Sequence, residues 1–241
     1  MKVTVMGASG LIGSKVVDIL RKAEQQVVAA SRDSGADVLT GAGLAEALAG
    51  SDVLVDVTNS PSFADAAVLE FFITSARNLV AAMRAAGARH YVALSIVGLE
   101  DLPDSGYMRA KVAQEAIIAG SGLPYTIVRA TQFQEFADAI VAGQTADGEV
   151  RVPDALIQPI AATEVAAAVA EAAVAEPRNG VLDIGGPDKI TFAELARIVL
   201  ARQGADTPVV VDPGARYFGA ALARTSLVTG ADAVLGNTPF G

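Results

Sequence analysis

Three residues in the first half of the chain, Ser95, Tyr107 and Lys111, have the types and the spacing needed to transfer a proton. Tyr107 and Lys111 are four positions apart, which places them on one face of a helix. A lysine ammonium beside a phenol stabilises the phenolate, so we expect the pKa of Tyr107 to fall below its usual value of about 10. Ser95 ends a strand-like segment and can hydrogen-bond the same substrate oxygen. We therefore predict that these three residues are catalytic, whereas the alternative is that Tyr107 is an aromatic cap that only packs.

The composition excludes most other catalytic groups. The 241 residues include no Cys and one His, so a disulfide framework, a thiol nucleophile and a Cys-ligated metal are absent. His90 precedes the strand that ends at Ser95, and we assign it a structural or solvent-facing role. We therefore predict no metal site, and proton transfer falls to a tyrosine.

A glycine-rich loop follows the first strand-like segment, Val3–Met6, and opens a helix predicted over Leu11–Ala23. Glycines let a backbone turn sharply and approach a pyrophosphate, and a helix N-terminus offers free N–H groups and a positive dipole. The alternative is a glycine turn that serves only strand and helix packing. The spacing G-x-x-G-x-x-G in this position predicts a dinucleotide site with these contacts: Gly7, Ser9, Gly10, Leu11, Ile12 and Gly13.

The tip of the second strand decides which dinucleotide is preferred. Ser31 and Arg32 stand where a 2′-phosphate would lie, and a guanidinium binds phosphate through charge-assisted hydrogen bonds. Asp33 would instead accept a ribose hydroxyl if the strand ended one residue later. The order of these residues favours NADP(H), with NAD(H) possible. By position alone, further cofactor contacts are expected at the ends of later elements: Asp37, Val38, Thr58, Asn59 and Ser60.

Short β-branched runs alternate with Ala/Leu-rich segments along the first 130 residues, which indicates strands and helices in turn. The predicted strands are Val3–Met6, Val27–Ala30, Asp37–Leu39, Val53–Val57, Tyr91–Leu94 and Tyr125–Val128. The predicted helices are Leu11–Ala23, Leu44–Ala49, Phe63–Ala86 and Ala110–Ala119. The pattern predicts an α/β fold, a Rossmann-type doubly wound parallel sheet with a small C-terminal cap or substrate region. We place the dinucleotide-binding core at 1–145 and the C-terminal region at 146–241 of one compact unit.

The pattern changes after Arg129. We predict a helix over Gln132–Val141, a polar hairpin around Gly148 and an Ala-rich helix that ends near Val174. Two more strands are predicted, Val181–Ile184 and Val209–Val211. Between them, Thr191 has Glu194 three positions later, which is the pattern of a helix N-cap.

The chain resembles the short-chain dehydrogenase/reductases and, within them, the atypical NmrA-like NAD(P)-binding proteins. The resemblance rests on four segments in family order: the glycine loop, Ala93-Leu94-Ser95, Tyr107 to Lys111, and Ser121 to Arg129. It implies that Lys111 also binds the nicotinamide ribose and that Ala130 and Thr131 border the nicotinamide carboxamide. The family usually has Pro after the arginine, where this chain has Ala130.

The residues expected around the substrate are less well defined. Gln132, Phe133 and Phe136 follow the sixth predicted strand, and Tyr217 lies in a segment that could close over the pocket. Core packing is the alternative for these aromatic side chains, because large aromatic residues usually fill cores.

The formal charge of −9 indicates a surface that repels nucleic acid and anionic membranes. We therefore expect a small-molecule substrate, no nucleic acid, no membrane and a cytoplasmic location, because no signal-like apolar stretch begins the chain. A monomer or a homodimer is compatible with the sequence. Arg32, Lys111 and Arg129 predict one local basic site for a phosphate-bearing cofactor.

These features favour an NADP-dependent reductase or dehydrogenase of a small, largely apolar carbonyl or alcohol, with tyrosine as acid or base. The main alternative is a non-catalytic NADP(H)-binding redox sensor of the NmrA-like type. A third possibility, a sugar-nucleotide epimerase, is disfavoured because the chain is short for a second nucleotide.

Overall fold

The computed structural model describes all 241 residues, which form twelve strands and seven α-helices. The strands are β1 (Lys2–Met6), β2 (Gln26–Ala30), β3 (Val53–Asp56), β4 (His90–Ile96), β5 (Tyr125–Ala130), β6 (Thr145–Ala146), β7 (Glu149–Val152), β8 (Leu156–Ile157), β9 (Gly180–Gly185), β10 (Ile190–Thr191), β11 (Val209–Val211) and β12 (Val234–Leu235). The helices are α1 (Leu11–Lys22), α2 (Leu44–Leu48), α3 (Asp65–Ala86), α4 (Gly106–Ala119), α5 (Ala137–Gly143), α6 (Ala162–Val174) and α7 (Phe192–Gln203).

Seven strands form a parallel central sheet in the order β12-β9-β5-β4-β3-β1-β2. The apolar, β-branched strand sequences suit this sheet because helices cover both of its faces. The chain order reverses between β1 and β3, which is the position where ligands bind in open α/β sheets. The predicted Rossmann-type fold is therefore confirmed, and the C-terminal region completes the same sheet with β9 and β12.

Alternation along β4 decides which side chains meet which helices. Val92 packs in the cluster formed with α1 and α6, whereas Tyr91 and Ala93 pack in the cluster formed with α3 and α4. Successive strand residues point to opposite faces, so Ser95 shares the face of Tyr91 and Ala93. Ser95 therefore lies on the side of the sheet that α4, the helix of Tyr107 and Lys111, covers.

The C-terminal region forms its own apolar cluster around α5, α7, β7 and β8. The predicted hairpin around Gly148 is present as the antiparallel pair β6 and β7, with Asp147 and Gly148 both at positive φ. The predicted cap on α7 is also confirmed, because Glu194 N–H donates to the Thr191 hydroxyl and the Glu194 carboxylate accepts from Thr191 N–H.

The predicted strand over Asp37–Leu39 is wrong. Oδ1 of Asp37 accepts hydrogen bonds from the backbone N–H groups of Leu39 at 2.7 Å and Thr40 at 3.2 Å, so the segment is a turn. Local side-chain bonds of this kind compete with sheet pairing. Helix α5 also begins at Ala137, later than expected, after a 3₁₀ turn over Gln134–Phe136.

Helix α3 is long and apolar enough to cross a membrane by length and composition alone. Its apolar residues recur at helical spacing and pack in the cluster beneath the sheet, including Val68, Phe72, Leu79 and Met83. Core helices of globular proteins pass the same test of composition. Helix α3 therefore covers one face of the sheet.

Candidate functional site

The expected cofactor contacts lie mainly at the carboxyl ends of β1, β2, β3 and β5, or in the loops that follow these ends. Because the strands are parallel, these ends meet along one edge of the sheet. Ser95 also lies near this end of β4, whereas His90 begins β4 at the opposite edge. His90 is buried there, and its Nε2 lies 2.9 Å from the Thr126 hydroxyl, as a structural role requires.

The glycine loop is shaped by close backbone contacts. Gly7 has φ +87°, and a Cβ there would lie 2.9 Å from the Val57 carbonyl oxygen. A Cβ on Gly13 would lie 2.1 Å from the Gly7 carbonyl oxygen, so α1 can start against the loop only with glycine at this position. The N–H groups of Gly7 and Ala8 both donate to the Ala30 carbonyl, which ties the loop to the tip of β2.

The start of α1 leaves backbone N–H groups for an anion. Its N-cap is Gly10, which has no side chain to occupy them, and the first turn contains no acidic residue. Ser9 and Leu11 are exposed, whereas the side chain of Ile12 is buried in the core, so Ile12 can offer only its backbone. The glycine cradle and this uncapped helix N-terminus fit a dinucleotide pyrophosphate.

The turn after β2 presents the residues expected to choose between cofactors. Ser31 precedes a 3₁₀ turn over Arg32–Ser34, and the side chain of Arg32 is exposed. Ser34 Oγ accepts from the Ser31 N–H at 2.9 Å and donates to the Ser31 carbonyl at 2.9 Å, which fixes this turn. Val38 is buried, so of the expected pair Asp37 and Val38 only Asp37 has a partly exposed side chain.

The loop after β3 contacts the helix of Tyr107. Asn59 Oδ1 accepts the Tyr107 hydroxyl at 2.7 Å and the Ser60 N–H at 2.9 Å. Thr58 uses its N–H and hydroxyl to bind Oδ1 of Asp56 at 3.1 and 2.7 Å. The loop is therefore anchored by side-chain hydrogen bonds at successive residues.

Tyr107 is half-buried on α4 among aromatic rings. Its ring centroid lies 5.6 Å from that of Phe72, edge to face, and 5.7 Å from that of Phe63. Burial raises the pKa of Tyr107 to about 12. The expectation that Lys111 lowers this pKa is therefore wrong, and at neutral pH Tyr107 is a protonated phenol.

Lys111 lies one helical turn further along and is 3% exposed. Its Nζ donates to the Leu94 carbonyl at 2.9 Å and to Oε1 of Gln114, and it lies 4.5 Å from the centre of the Phe72 ring. Burial lowers the pKa of Lys111 to about 8, although the carboxylates of Asp56 and Glu115 raise it. Lys111 and Tyr107 thus both contact the Phe72 ring, and the Lys111 ammonium also bonds Leu94 and Gln114.

Asp56 is a buried carboxylate that sequence reasoning did not identify. It ends β3 and is 1% exposed. Its Oδ2 accepts from the Tyr91 hydroxyl at 2.8 Å and from Nε2 of Gln114 at 3.0 Å. Gln114 therefore links Asp56 to Lys111. The signal in the sequence was an acidic residue inside an otherwise apolar strand, which must be paired when buried.

Two buried hydroxyls at this edge have no hydrogen-bond partner within the protein. They are Oγ of Ser95, which is 3% exposed, and Oγ1 of Thr131, which is 1% exposed. Buried polar groups are rarely left unbonded, so both hydroxyls are available to bond a water or a ligand at this edge. Ala130 is buried and its carbonyl accepts from Val97 N–H at 3.0 Å, while Thr131 N–H donates to the Ile184 carbonyl. The Thr131 hydroxyl is therefore the side-chain group in this segment that is free to contact a ligand.

Arg129 does not contribute to a free basic site, contrary to the expectation. Its Nε and Nη2 bind the Glu115 carboxylate, the latter at 2.6 Å, and Nη2 also binds Glu100 Oε1 at 2.9 Å. Both carboxylates raise the pKa of Arg129, although burial opposes them. The guanidinium charge is thus neutralised within the protein.

The predicted substrate residues fall into two groups. Gln132, Phe133 and Phe136 follow β5, where the two phenyl rings stack at 5.5 Å and Oε1 of Gln132 is buried without a partner. Tyr217 is 6% exposed and packs on Phe192 in the C-terminal cluster, where burial raises its pKa.

Two cavities in the C-terminal region do not coincide with this edge. The larger, about 440 Å³, lies between α5 and α7, and the smaller, about 150 Å³, includes Tyr217 and Phe218 in its wall. We base the candidate site on the convergence of strand ends, because its polar groups can perform chemistry and those of the cavities show no comparable arrangement.

Residues 34–176, more than half of the chain, match the family described as NAD(P)H-binding. A (4-alkanoyl-5-oxo-2,5-dihydrofuran-3-yl)methyl phosphate reductase from Streptomyces griseus subsp. griseus is 29% identical over 217 residues, which span 82% of this chain and 73% of that protein.

Solved structures with the same fold are 20 to 22% identical to this chain. MoeE5 in complex with UDP-glucose and NAD has a TM-score of 0.73 and aligns over 96% of this chain and 95% of its own. An NADPH-dependent quinone oxidoreductase (QOR2) from Escherichia coli has a TM-score of 0.67, with coverage of 87% and 78%. The Citrobacter sp. triphenylmethane reductase complexed with NADP(H) has a TM-score of 0.69, with coverage of 88% and 79%.

The family match begins at residue 34, so it does not include the glycine loop. The backbone geometry of that loop is a separate observation that fits a dinucleotide. The chain belongs to the family described as NAD(P)H-binding.

Proposed function

We propose that this protein is an NADPH-dependent reductase of a small, largely apolar carbonyl compound, with Tyr107 as the proton donor. The observation that carries the proposal is the position of Tyr107: its half-buried hydroxyl lies beside the carboxyl ends of β3 and β4, on the side of the sheet that also holds the buried, unbonded hydroxyl of Ser95. A tyrosine phenol is protonated at neutral pH, so Tyr107 can donate its proton to a carbonyl oxygen during reduction. The reductase named among the relatives supports this direction.

When bound, a reduced nicotinamide supplies the hydride that goes to the carbonyl carbon. Tyr107 gives its hydroxyl proton to the carbonyl oxygen, and the resulting phenolate regains a proton from solvent. To do so, the hydroxyl exchanges its bond to Asn59 Oδ1 for one to the substrate oxygen. A developing alkoxide is a stronger acceptor than an amide oxygen, so this exchange is favourable.

The other residues hold the reactants in place. The unbonded hydroxyl of Ser95 donates to the same substrate oxygen and stabilises its developing charge. Lys111 is proposed to bind the nicotinamide ribose through the donor capacity that its bonds to Leu94 and Gln114 leave. The exposed Arg32 is proposed to bind the 2′-phosphate, which favours NADPH over NADH. The glycine loop and the N-terminus of α1 are proposed to hold the pyrophosphate.

The test is a two-part assay on the native protein. Binding of NADPH and NADH is measured by fluorescence titration, and NADPH oxidation is then followed at 340 nm, the absorbance of the reduced nicotinamide, with aliphatic and aryl aldehydes, ketones and quinones. Consumption of NADPH with at least one carbonyl supports the proposal. Tight NADPH binding without consumption would overturn it in favour of a redox sensor, and turnover of UDP-glucose alone would favour an epimerase.

A further inference from the structure

Phe63 is a large apolar side chain beside Tyr107 that does not pack in the core. Phe63 is 71% exposed, yet its ring lies 5.7 Å from the Tyr107 ring, centroid to centroid, with an angle of 34° between the planes. Single exposed phenylalanines are common on protein surfaces. This one differs because it extends the aromatic surface of the proposed proton donor into solvent.

The segment that carries Phe63 is held in place on both sides. Before it, Asn59 binds the Tyr107 hydroxyl, and Oγ of Ser60 donates to the Ser62 carbonyl at 2.8 Å. After it, the Asp65 carboxylate forms an ion pair of 2.8 Å with Arg109, which lies two residues after Tyr107 on α4. These contacts hold the loop in the position that places the Phe63 ring beside the Tyr107 ring.

Close packing at the start of α4 strengthens this arrangement. A Cβ on Gly106 would lie 2.1 Å from Oδ1 of Asp65, so the glycine leaves room for the Asp65 carboxylate in its present position beside α4. Phe72 also packs against the Tyr107 ring, edge to face, with the ring centroids 5.6 Å apart. Tyr107 thus contacts one buried phenyl ring, Phe72, and one exposed phenyl ring, Phe63.

We propose that Phe63, together with Tyr107, forms an aromatic surface that binds the planar face of a conjugated carbonyl substrate. This inference rests on the proposed reductase function and names its substrate class. Aromatic rings prefer offset-stacked or edge-to-face contacts, which a planar aryl carbonyl can form and a saturated ring of the same size cannot. The substrate oxygen would then lie within reach of the Tyr107 hydroxyl.

Two probes of nearly equal size separate stacking from simple apolar burial: acetophenone and cyclohexyl methyl ketone. Their binding to the protein saturated with NADP⁺ is measured by saturation-transfer NMR titration. We expect acetophenone to bind about 2-fold to 12-fold more tightly, which is the range of an aromatic pair beyond its buried area. The Phe63→Leu variant should lose this preference, and Phe63→Trp should keep it.

Phe218→Leu is the matched control, because Phe218 is 69% exposed and lies in the C-terminal region. This variant should bind both ketones as the native protein does. Equal binding of the two ketones to the native protein, no measurable binding of acetophenone, or a preference that survives in Phe63→Leu would overturn the inference. Because the readout is binding, a failure here is distinct from a failure of the reductase proposal, which shows as no NADPH oxidation with any carbonyl.

Discussion

The hydroxyl of Tyr107 donates a hydrogen bond to Oδ1 of Asn59 across 2.7 Å, and this bond connects α4 to the loop after β3. The N–H of Ser60 donates to the same oxygen at 2.9 Å, which fixes the orientation of the amide group. An acceptor facing the phenol stabilises its neutral form, in the same direction as burial. Both effects favour the protonated phenol, whereas the sequence pattern alone suggested an easily ionised one.

The first prediction concerns Tyr107→Phe. If Tyr107 supplies the proton, this change should lower turnover about 10²-fold to 10⁴-fold, the usual contribution of a positioned acid. The affinity for NADPH should stay within about twofold of the native value, because no cofactor contact is removed. Steady-state NADPH oxidation and a fluorescence titration measure the two effects separately. Tyr125→Phe at the opposite edge of the sheet is the control and should change neither, whereas full activity in Tyr107→Phe would reject the acid assignment.

The second prediction concerns the pH dependence that Lys111 gives to cofactor binding. With a pKa of about 8, its ammonium is lost as the pH rises through that value. If the ammonium binds the nicotinamide ribose, NADPH affinity should fall above this pH. Titrations from about pH 6 to about pH 10 would locate the midpoint of the change.

Two substitutions in the buried network should move this midpoint in opposite directions. Asp56→Asn removes a nearby negative charge, so the pKa of Lys111 and the midpoint should fall. Gln114→Glu places a carboxylate on the Lys111 ammonium, so the midpoint should rise. A general loss of stability would not shift the midpoint in opposite directions in the two variants. Unchanged midpoints in both would show that Lys111 does not control binding.

Most of the fold and of the candidate site could be predicted from local sequence patterns. The glycine loop and the Tyr107 and Lys111 pair are short-range signals, and their positions at a strand end and on a helix follow from hydrophobic periodicity. The link from Asp56 through Gln114 to Lys111 joins residues up to 58 positions apart, so it depends on how α4 packs on β3. The same holds for Arg129, whose charge is neutralised by Glu100 and Glu115 from separate segments.

The one wrong strand has a local cause. Val38 and Leu39 have strand-like side chains, but Asp37 binds the next backbone N–H groups and closes a turn. Nδ2 of Asn78 then donates to the carbonyls of Val38 and Leu39 at 2.9 and 3.0 Å, so α3 supplies the partners that a neighbouring strand would have supplied. Apolar content alone could not distinguish these outcomes.

The third prediction concerns the shape of the glycine loop. In Gly13→Ala the new Cβ would lie 2.1 Å from the Gly7 carbonyl oxygen, so α1 or the loop must shift. We expect the free energy of unfolding to fall by about 1 to 3 kcal/mol, as overpacking typically costs, and NADPH binding to weaken. Urea denaturation and NADPH titration measure the two effects.

Gly143→Ala is the control for this prediction. No atom lies within 4 Å of a Cβ at Gly143, and its φ is not positive, so stability should be unchanged or slightly higher. NADPH binding as tight in Gly13→Ala as in the native protein would show that the close approach of α1 to the loop is not needed for the cofactor.

The fourth prediction concerns the choice of cofactor at the tip of β2. Arg32 is exposed, and the loss of a hydrogen bond to a charged group costs about 1.5 to 3 kcal/mol. Arg32→Ala should therefore weaken NADPH binding about 10-fold to 150-fold and leave NADH binding unchanged, because NADH lacks the 2′-phosphate. Arg197→Ala on α7 is the control and should alter neither affinity. Because the contact is charge-assisted, the native preference should also shrink as salt concentration rises, and a native protein that binds NADH more tightly than NADPH would refute the role of Arg32.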